Sequence, residues 1–182
     1  MDLIPGTTLK TEKASARASR SAIDALLNGT GGLTLAQVRE ITGLEASTIQ
    51  NWVKRGFVKN PEGKRYGEEQ LMRIILINMM HGSLKLEQIA FLMSYINGSV
   101  DDRSDDILPD KELYVLLCGI IYDCGYNLGS VEENKTAINL RLGEMNLTAE
   151  NRQKLMSALE VILPAVSATV LINKAQEAFR GL

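Results

Sequence analysis

The sequence predicts a mainly α-helical protein, with an N-terminal region of helices carrying one small β-hairpin and an all-helical C-terminal region. Aromatic residues make up only 5% of the chain while Leu, Ile, Met and Ala abound, which disfavours a β-sandwich. Hydrophobic residues make up 45% and charged residues 23% of the 182 positions, so the chain can bury a real core and lies outside the disordered class. Apolar residues recur at three- and four-residue steps between Gly, Asn and Pro stops.

Residues 1–13, with Pro5, Gly6 and a Thr run, read as a loose arm. A first helix is expected over 15–27, where Ala18, Ala22, Ala25 and Leu26 share a face and Asn28-Gly29 supplies a stop. Thr34 and Gln37 stand at the spacing at which two side chains satisfy each other's helix-end amides, so a second helix starts there and ends at Gly43. A third runs over 46–54 with Ile49, Trp52 and Val53 inward. Helix, tight Gly turn and helix at this spacing is a helix-turn-helix signature.

Phe57-Val58, the turn Asn60-Pro61-Glu62-Gly63 and Lys64-Arg65-Tyr66 predict a two-stranded hairpin, a wing that needs a helical base to pack on. Helices follow over 68–80, ended by Gly82, and over the stretch carrying Leu86, Ile89, Leu92, Met93 and Ile96, ended by Asn97-Gly98. The acidic stretch 99–110, with Asp101, Asp102, Asp105 and Asp106 before Pro109, reads as a linker. Beyond it helices are expected near 111–126, 132–142 and 148–179, the last kinked or split at Pro164, which removes one backbone hydrogen bond.

A net charge of −2 and a pI near 5.5 exclude a protein that coats nucleic acid over its whole surface, but the average hides an asymmetry. Basic residues outnumber acidic ones up to Gly98, with Lys54, Arg55, Lys59, Lys64 and Arg65 against Glu62 alone in one short stretch. The remainder is acidic. A basic module ahead of an acidic one fits a DNA reader joined to a partner or effector region.

Other chemistry finds little support. Cys118 and Cys124 sit in an apolar helical stretch and read as free buried thiols rather than zinc ligands or a disulfide. His81 is the only histidine, which excludes multi-histidine metal sites and a hydrolase triad. Asp101-Asp102-Arg103-Ser104-Asp105 looks superficially like a magnesium-diphosphate motif, but a second metal motif is missing and a solvated linker fits better. Met72, Met79, Met80 and Met93 read as core filler and Trp52 as core rather than a ligand platform. No cofactor, no metal and no enzymatic activity are expected. No signal peptide is evident, and Asn78, His81 or Pro164 interrupts each long apolar run before it could span a bilayer, so no membrane association and a cytoplasmic location are expected.

The order and spacing of Leu33-Thr34-Leu35-Ala36-Gln37-Val38-Arg39-Glu40-Ile41-Thr42-Gly43-Leu44, Ser47-Thr48-Ile49-Gln50-Asn51-Trp52, Gly56-Phe57-Val58, Gly63-Lys64-Arg65-Tyr66 and Glu68-Glu69-Gln70-Leu71 resemble the MerR family of transcription regulators. Gly82, Leu86, Glu87 and Ile89 extend the resemblance through the fourth helix, so it covers residues 33–96. As a whole the chain is similar to an uncharacterised, MerR-like family of Gram-positive bacterial proteins. The resemblance implies a winged helix-turn-helix DNA-binding domain over 33–98, preceded by an arm and helix over 1–32. An acidic linker over 99–110 and a helical dimerisation or effector region over 111–182 follow.

By that resemblance double-stranded DNA is the partner, bound by a homodimer, with a small-molecule or protein effector as a further partner. Ser47, Thr48, Gln50 and Asn51 would read base edges, while Lys54, Arg55, Lys64 and Arg65, with Tyr66 as a further donor, would grip phosphates. The chain departs from the family at Gln50-Asn51-Trp52, where an Arg-Tyr-aromatic run is usual, so base preference does not carry over. It lacks the usual Ser or Thr caps at Glu45, Gly67 and Lys85. The family's pairing helix also follows the fourth helix directly, whereas here the acidic stretch intervenes. These departures leave open a second reading, a protein-interaction adaptor on a winged-helix scaffold that no longer binds DNA.

Overall fold

The computed structural model describes residues 2–12, 15–29, 31–98, 106–124 and 131–182. Most of the expected acidic linker, including Asp101, Asp102 and Asp105, and the expected helix end at 126 lie outside these residues. Within them the chain forms eight helices and one short hairpin, so the protein is mainly α.

Helix α1 (Ala16–Leu27) starts where the Ser15 hydroxyl accepts from the Ala18 amide at 3.1 Å. Helix α2 (Leu35–Thr42) carries the expected reciprocal cap of Thr34 and Gln37, and Gly43 ends it in the left-handed region at φ 71°. Helices α3 (Ala46–Lys54), α4 (Glu68–Met80) and α5 (Leu86–Asn97) follow. The starts of α4 and α5 lack a Ser or Thr cap, yet each keeps half of the device found at α2. Gln70 accepts from the Gly67 amide at 3.0 Å, and Gln88 from the Lys85 amide at 2.9 Å. Helices α6 (Asp110–Asp123), α7 (Val131–Gly143) and α8 (Ala149–Arg180) complete the order.

Residues 2–12 do not form the loose arm expected over 1–13. Strands β1 (Asp2–Leu3) and β2 (Lys10–Thr11) pair antiparallel, and the turn between them is pressed into the core. Ile4 is 1% exposed, the Tyr114 hydroxyl donates to the Pro5 carbonyl at 3.0 Å, and the Thr8 amide donates to the Ile41 carbonyl at 2.7 Å. Gly6 packs so closely on α4 that a Cβ there would stand 2.7 Å from Met79 Cγ. All these partners are distant in sequence, which is why composition reads the segment as coil.

The hairpin expected over 57–66 is also absent as a strand pair. The end of α3 uses those residues differently: the Gly56 amide donates to the Val53 carbonyl and the Phe57 amide to the Trp52 carbonyl, a Schellman closure with Gly56 at φ 76°. Phe57 is thereby committed to capping the helix. Tyr66 pairs instead with Leu33, each amide donating to the other's carbonyl at 2.8 Å, and a tight turn over 62–65 leaves one isolated bridge.

Helix α4 is apolar nearly all round and lies at the centre, with α2, α6 and α8 packed on it. Residues on either side of 99–110 therefore share one core. Arg73 of α4 donates through Nε to Asp110 at 2.7 Å, and both are buried. Asp110 opens α6, where the helix dipole favours a carboxylate. Asn97 and Leu108 exchange reciprocal hydrogen bonds at 2.6 and 3.1 Å, fixing the end of α5 to the approach to α6.

Pro164 does not split α8, which runs unbroken over 32 residues. Pro164 and Glu160 are both exposed, so the hydrogen bond that proline removes is lost on the solvated face, where water can satisfy the Glu160 carbonyl. By length and composition α8 could cross a bilayer, contrary to the expectation from Pro164, although 44% of its most apolar window is buried inside the protein.

Candidate nucleic-acid interface

The α2–α3 connection is three residues long, and its geometry sets which face of α3 turns outward. Thr42 donates its hydroxyl to the Val38 carbonyl at 2.7 Å and accepts from the Leu44 amide at 3.3 Å, so the chain turns sharply with Leu44 buried. Helix α3 then buries Ile49 and Trp52. The 3.6-residue period leaves Ser47, Gln50, Asn51 and Lys54 on the exposed face, with Thr48 half-buried at its edge. Glu45 precedes α3 without capping it by its side chain and pairs with Arg39 at 3.1 Å.

The expected cations divide into two groups. Lys54 and Lys64 are exposed and make no ion pair among the described residues. Lys64 sits at a turn tip with φ 63°, directly before Arg65, whose guanidinium donates to the Gly32 carbonyl at 2.9 Å. Gly32 suits this crossing, because a Cβ there would meet the Tyr66 carbonyl oxygen at 3.0 Å. Arg55, by contrast, pairs with Glu87 of α5 and lies 4.8 Å over the Phe57 ring. A backbone hydrogen bond first and Arg55 second hold the Glu87 carboxyl below its ordinary range. Lys59 pairs with Glu69 at 3.0 Å.

Tyr66, expected as a further donor beside the cations, is turned inward. Its residue is only 4% exposed, its backbone is paired with Leu33, and burial pushes its phenol above the ordinary value. Sequence spacing places Tyr66 beside Lys64 and Arg65 but cannot say that the chain turns it inward. The Arg55–Glu87 pair, too, joins residues 32 positions apart and leaves no local signal.

Cys118 is buried and its thiol is pushed up to about 12 by desolvation, whereas Cys124 is half-buried. A thiol so raised is inert as a nucleophile. Among the described residues no group of His, Cys, Asp and Glu is placed to hold a metal ion.

The chain belongs to the family described as a domain of unknown function (DUF1836), which matches residues 26–116, half of its length. That span includes α2 to α5 and the first half of α6. The chain is also similar to uncharacterized protein YkrK of Bacillus subtilis (strain 168), with 28% identity over 106 residues that cover 56% of this chain and 42% of YkrK. The chain thus spans under half the length of the curated relative it matches. No solved structure matches it.

Proposed function

We propose that this protein is a sequence-specific DNA-binding transcription regulator that acts as a homodimer, with residues 33–98 as a MerR-like winged helix-turn-helix. The observation that carries the proposal is the outward face of α3. Ser47, Gln50, Asn51 and Lys54 stand on one exposed stripe, backed by Ile49 and Trp52, and Lys64, with no ion pair among the described residues, is exposed on the turn that follows. Polar side chains on a short, firmly seated helix suit base edges in a major groove, and flanking cations suit phosphates. The turn over 62–65 takes the place of a stranded wing.

One such helix buries too little surface for operator-level affinity, which favours two copies. The exposed apolar end of α8 supports pairing. Leu171 is 63% and Phe179 76% exposed, and Ile172, Ala175, Phe179 and Leu182 follow at steps of three and four. A cytoplasmic, non-enzymatic regulator is the form of protein this reading describes. Its test is selection from random DNA duplexes, followed by the same selection with a Gln50→Ala, Asn51→Ala variant. The expected result is a two-fold symmetric site for the parent and altered base preference at the same half-site positions for the variant.

A second reading, an interaction adaptor that no longer binds DNA, draws on a different observation. Arg55 and Lys59 are neutralised by Glu87 and Glu69, and Glu45 puts a negative charge at the start of α3. An adaptor predicts that Lys54→Ala and Lys64→Ala leave partner binding unchanged.

A further inference from the structure

A cleft of about 420 Å³ opens between the end of α3, α4 and α5, and none of Ser47, Gln50, Asn51 and Lys54 lines it. This volume falls within the range of small-ligand sites. Phe57, Ile77, Leu86 and Met93 give it apolar walls, and Phe91, 66% exposed and stacked on Tyr95 with ring centroids 6.1 Å apart, stands at its rim. An aromatic pair left open to water beside such a cleft is surface that a ligand's apolar part can cover.

The charged groups of the lining are unequal. Arg55 and Arg73 both line the cleft, and Glu87 is the only carboxylate among the described residues that does so. Asp110, which accepts from Arg73 Nε at 2.7 Å, is not among the lining residues. Arg73 is 7% exposed, and its two terminal nitrogens have no hydrogen-bond acceptor among the described residues. A nearly buried guanidinium with donors left over is a fork for a carboxylate, because two parallel N–H donors match two carboxylate oxygens.

We infer that this cleft is a binding site for a small amphipathic carboxylate, its apolar part held between Phe57, Leu86 and Phe91 and its carboxylate on the terminal nitrogens of Arg73. The site stands independently of the DNA-binding proposal. The Arg55–Glu87 pair bridges the α3 end of the cleft to α5, so a bound anion competes with Glu87 for Arg55.

The probes are phenylacetate and its neutral counterpart phenylacetamide, titrated into the full chain and followed by amide chemical shifts in ¹H–¹⁵N spectra. The inference predicts saturable shifts at Phe57, Ala90 and Phe91 with phenylacetate, and binding of the amide at least about ten-fold weaker, because it cannot form a charge-assisted pair. Ala90→Trp, which fills the cleft from an only half-buried position, abolishes the shifts. Arg73→Gln removes the preference for the anion, and if that variant fails to fold, Ala90→Trp and the two probes still decide the matter. Equal binding of acid and amide, shifts that survive Ala90→Trp, or no shifts at the cleft with either probe would each overturn it.

Discussion

The indole of Trp52 meets the imidazole of His81 edge to face, with ring centroids 5.5 Å apart and planes at 72°. Trp52 belongs to α3, and His81 ends α4 immediately before Gly82 and Ser83. Ser83 in turn donates to the Ala165 carbonyl of α8 at 2.7 Å and accepts from Thr169 at 3.1 Å. The proposed reading helix and the C-terminal helix are therefore joined through one short turn.

That packing of Trp52 on His81 makes stability depend on pH in a defined direction. His81 is exposed as a residue but its ring is partly desolvated, and this desolvation lowers its pKa from the ordinary 6.5. The unfolded chain then binds the proton first, so stability is full above pH 6.5 and declines as pH falls towards the lower, folded-state value. Denaturant melts between pH 8 and 5 should show this decline, and His81→Gln should flatten it relative to the parent.

Gly82 lies against α8 so closely that an added Cβ would sit 2.9 Å from Thr169 Cγ2. Thr169 is buried and β-branched, so it cannot easily rotate away. Gly82→Ala is expected to cost about 1–3 kcal/mol. Thr169→Ser removes the offending methyl and keeps the hydroxyl that bonds Ser83, so the double variant should recover most of that stability. A double-mutant cycle by urea denaturation measures the coupling.

Arg73 and Asp110 lock α4 to α6 as a buried pair. Asp110→Asn strands the buried Arg73 guanidinium and should destabilise by about 3–5 kcal/mol, and Arg73→Met removes the same pairing from the other side. Arg73→Met combined with Asp110→Leu should be far milder than the sum, since no charge is stranded. Chemical denaturation of the three variants tests this.

The exposed end of α8 carries the pairing proposal. A projecting apolar helix of this length is marginal alone in water, and covering it with a second copy would bury Leu171, Ile172 and Phe179. Leu171→Asp with Phe179→Asp should convert a dimer to a monomer in sedimentation experiments while leaving the core, and hence the melting transition of the monomer, nearly intact. A parent protein that sediments as a monomer contradicts the homodimer.

Local chemistry made much of the helical order legible. The Thr34–Gln37 cap, the Gly43 stop and the apolar period of α3 to α5 each lie within a few residues, and the observed bounds follow them closely. What escaped was decided by distant partners. Pro5 and Thr8 look like coil until Tyr114 and Ile41 meet them, and Tyr66 looks like a wing residue until Leu33 pairs with it. Phe57 reads as a strand start only until Gly56 closes α3 over it. The outward set Ser47, Gln50, Asn51 and Lys54 was readable from helical period, whereas the capture of Arg55 by Glu87 was not.

The central claim is that α3 and the turn after it engage DNA, and its most direct measurement is affinity for a selected duplex as a function of salt. The parent should bind steeply more weakly as salt rises, and a Lys54→Ala, Lys64→Ala variant should show a slope shallower by about 2, one for each phosphate that no longer meets a lysine. Parent and variant binding equally weakly, with the same slope and no preference for the selected duplex over a scrambled one, would contradict the account.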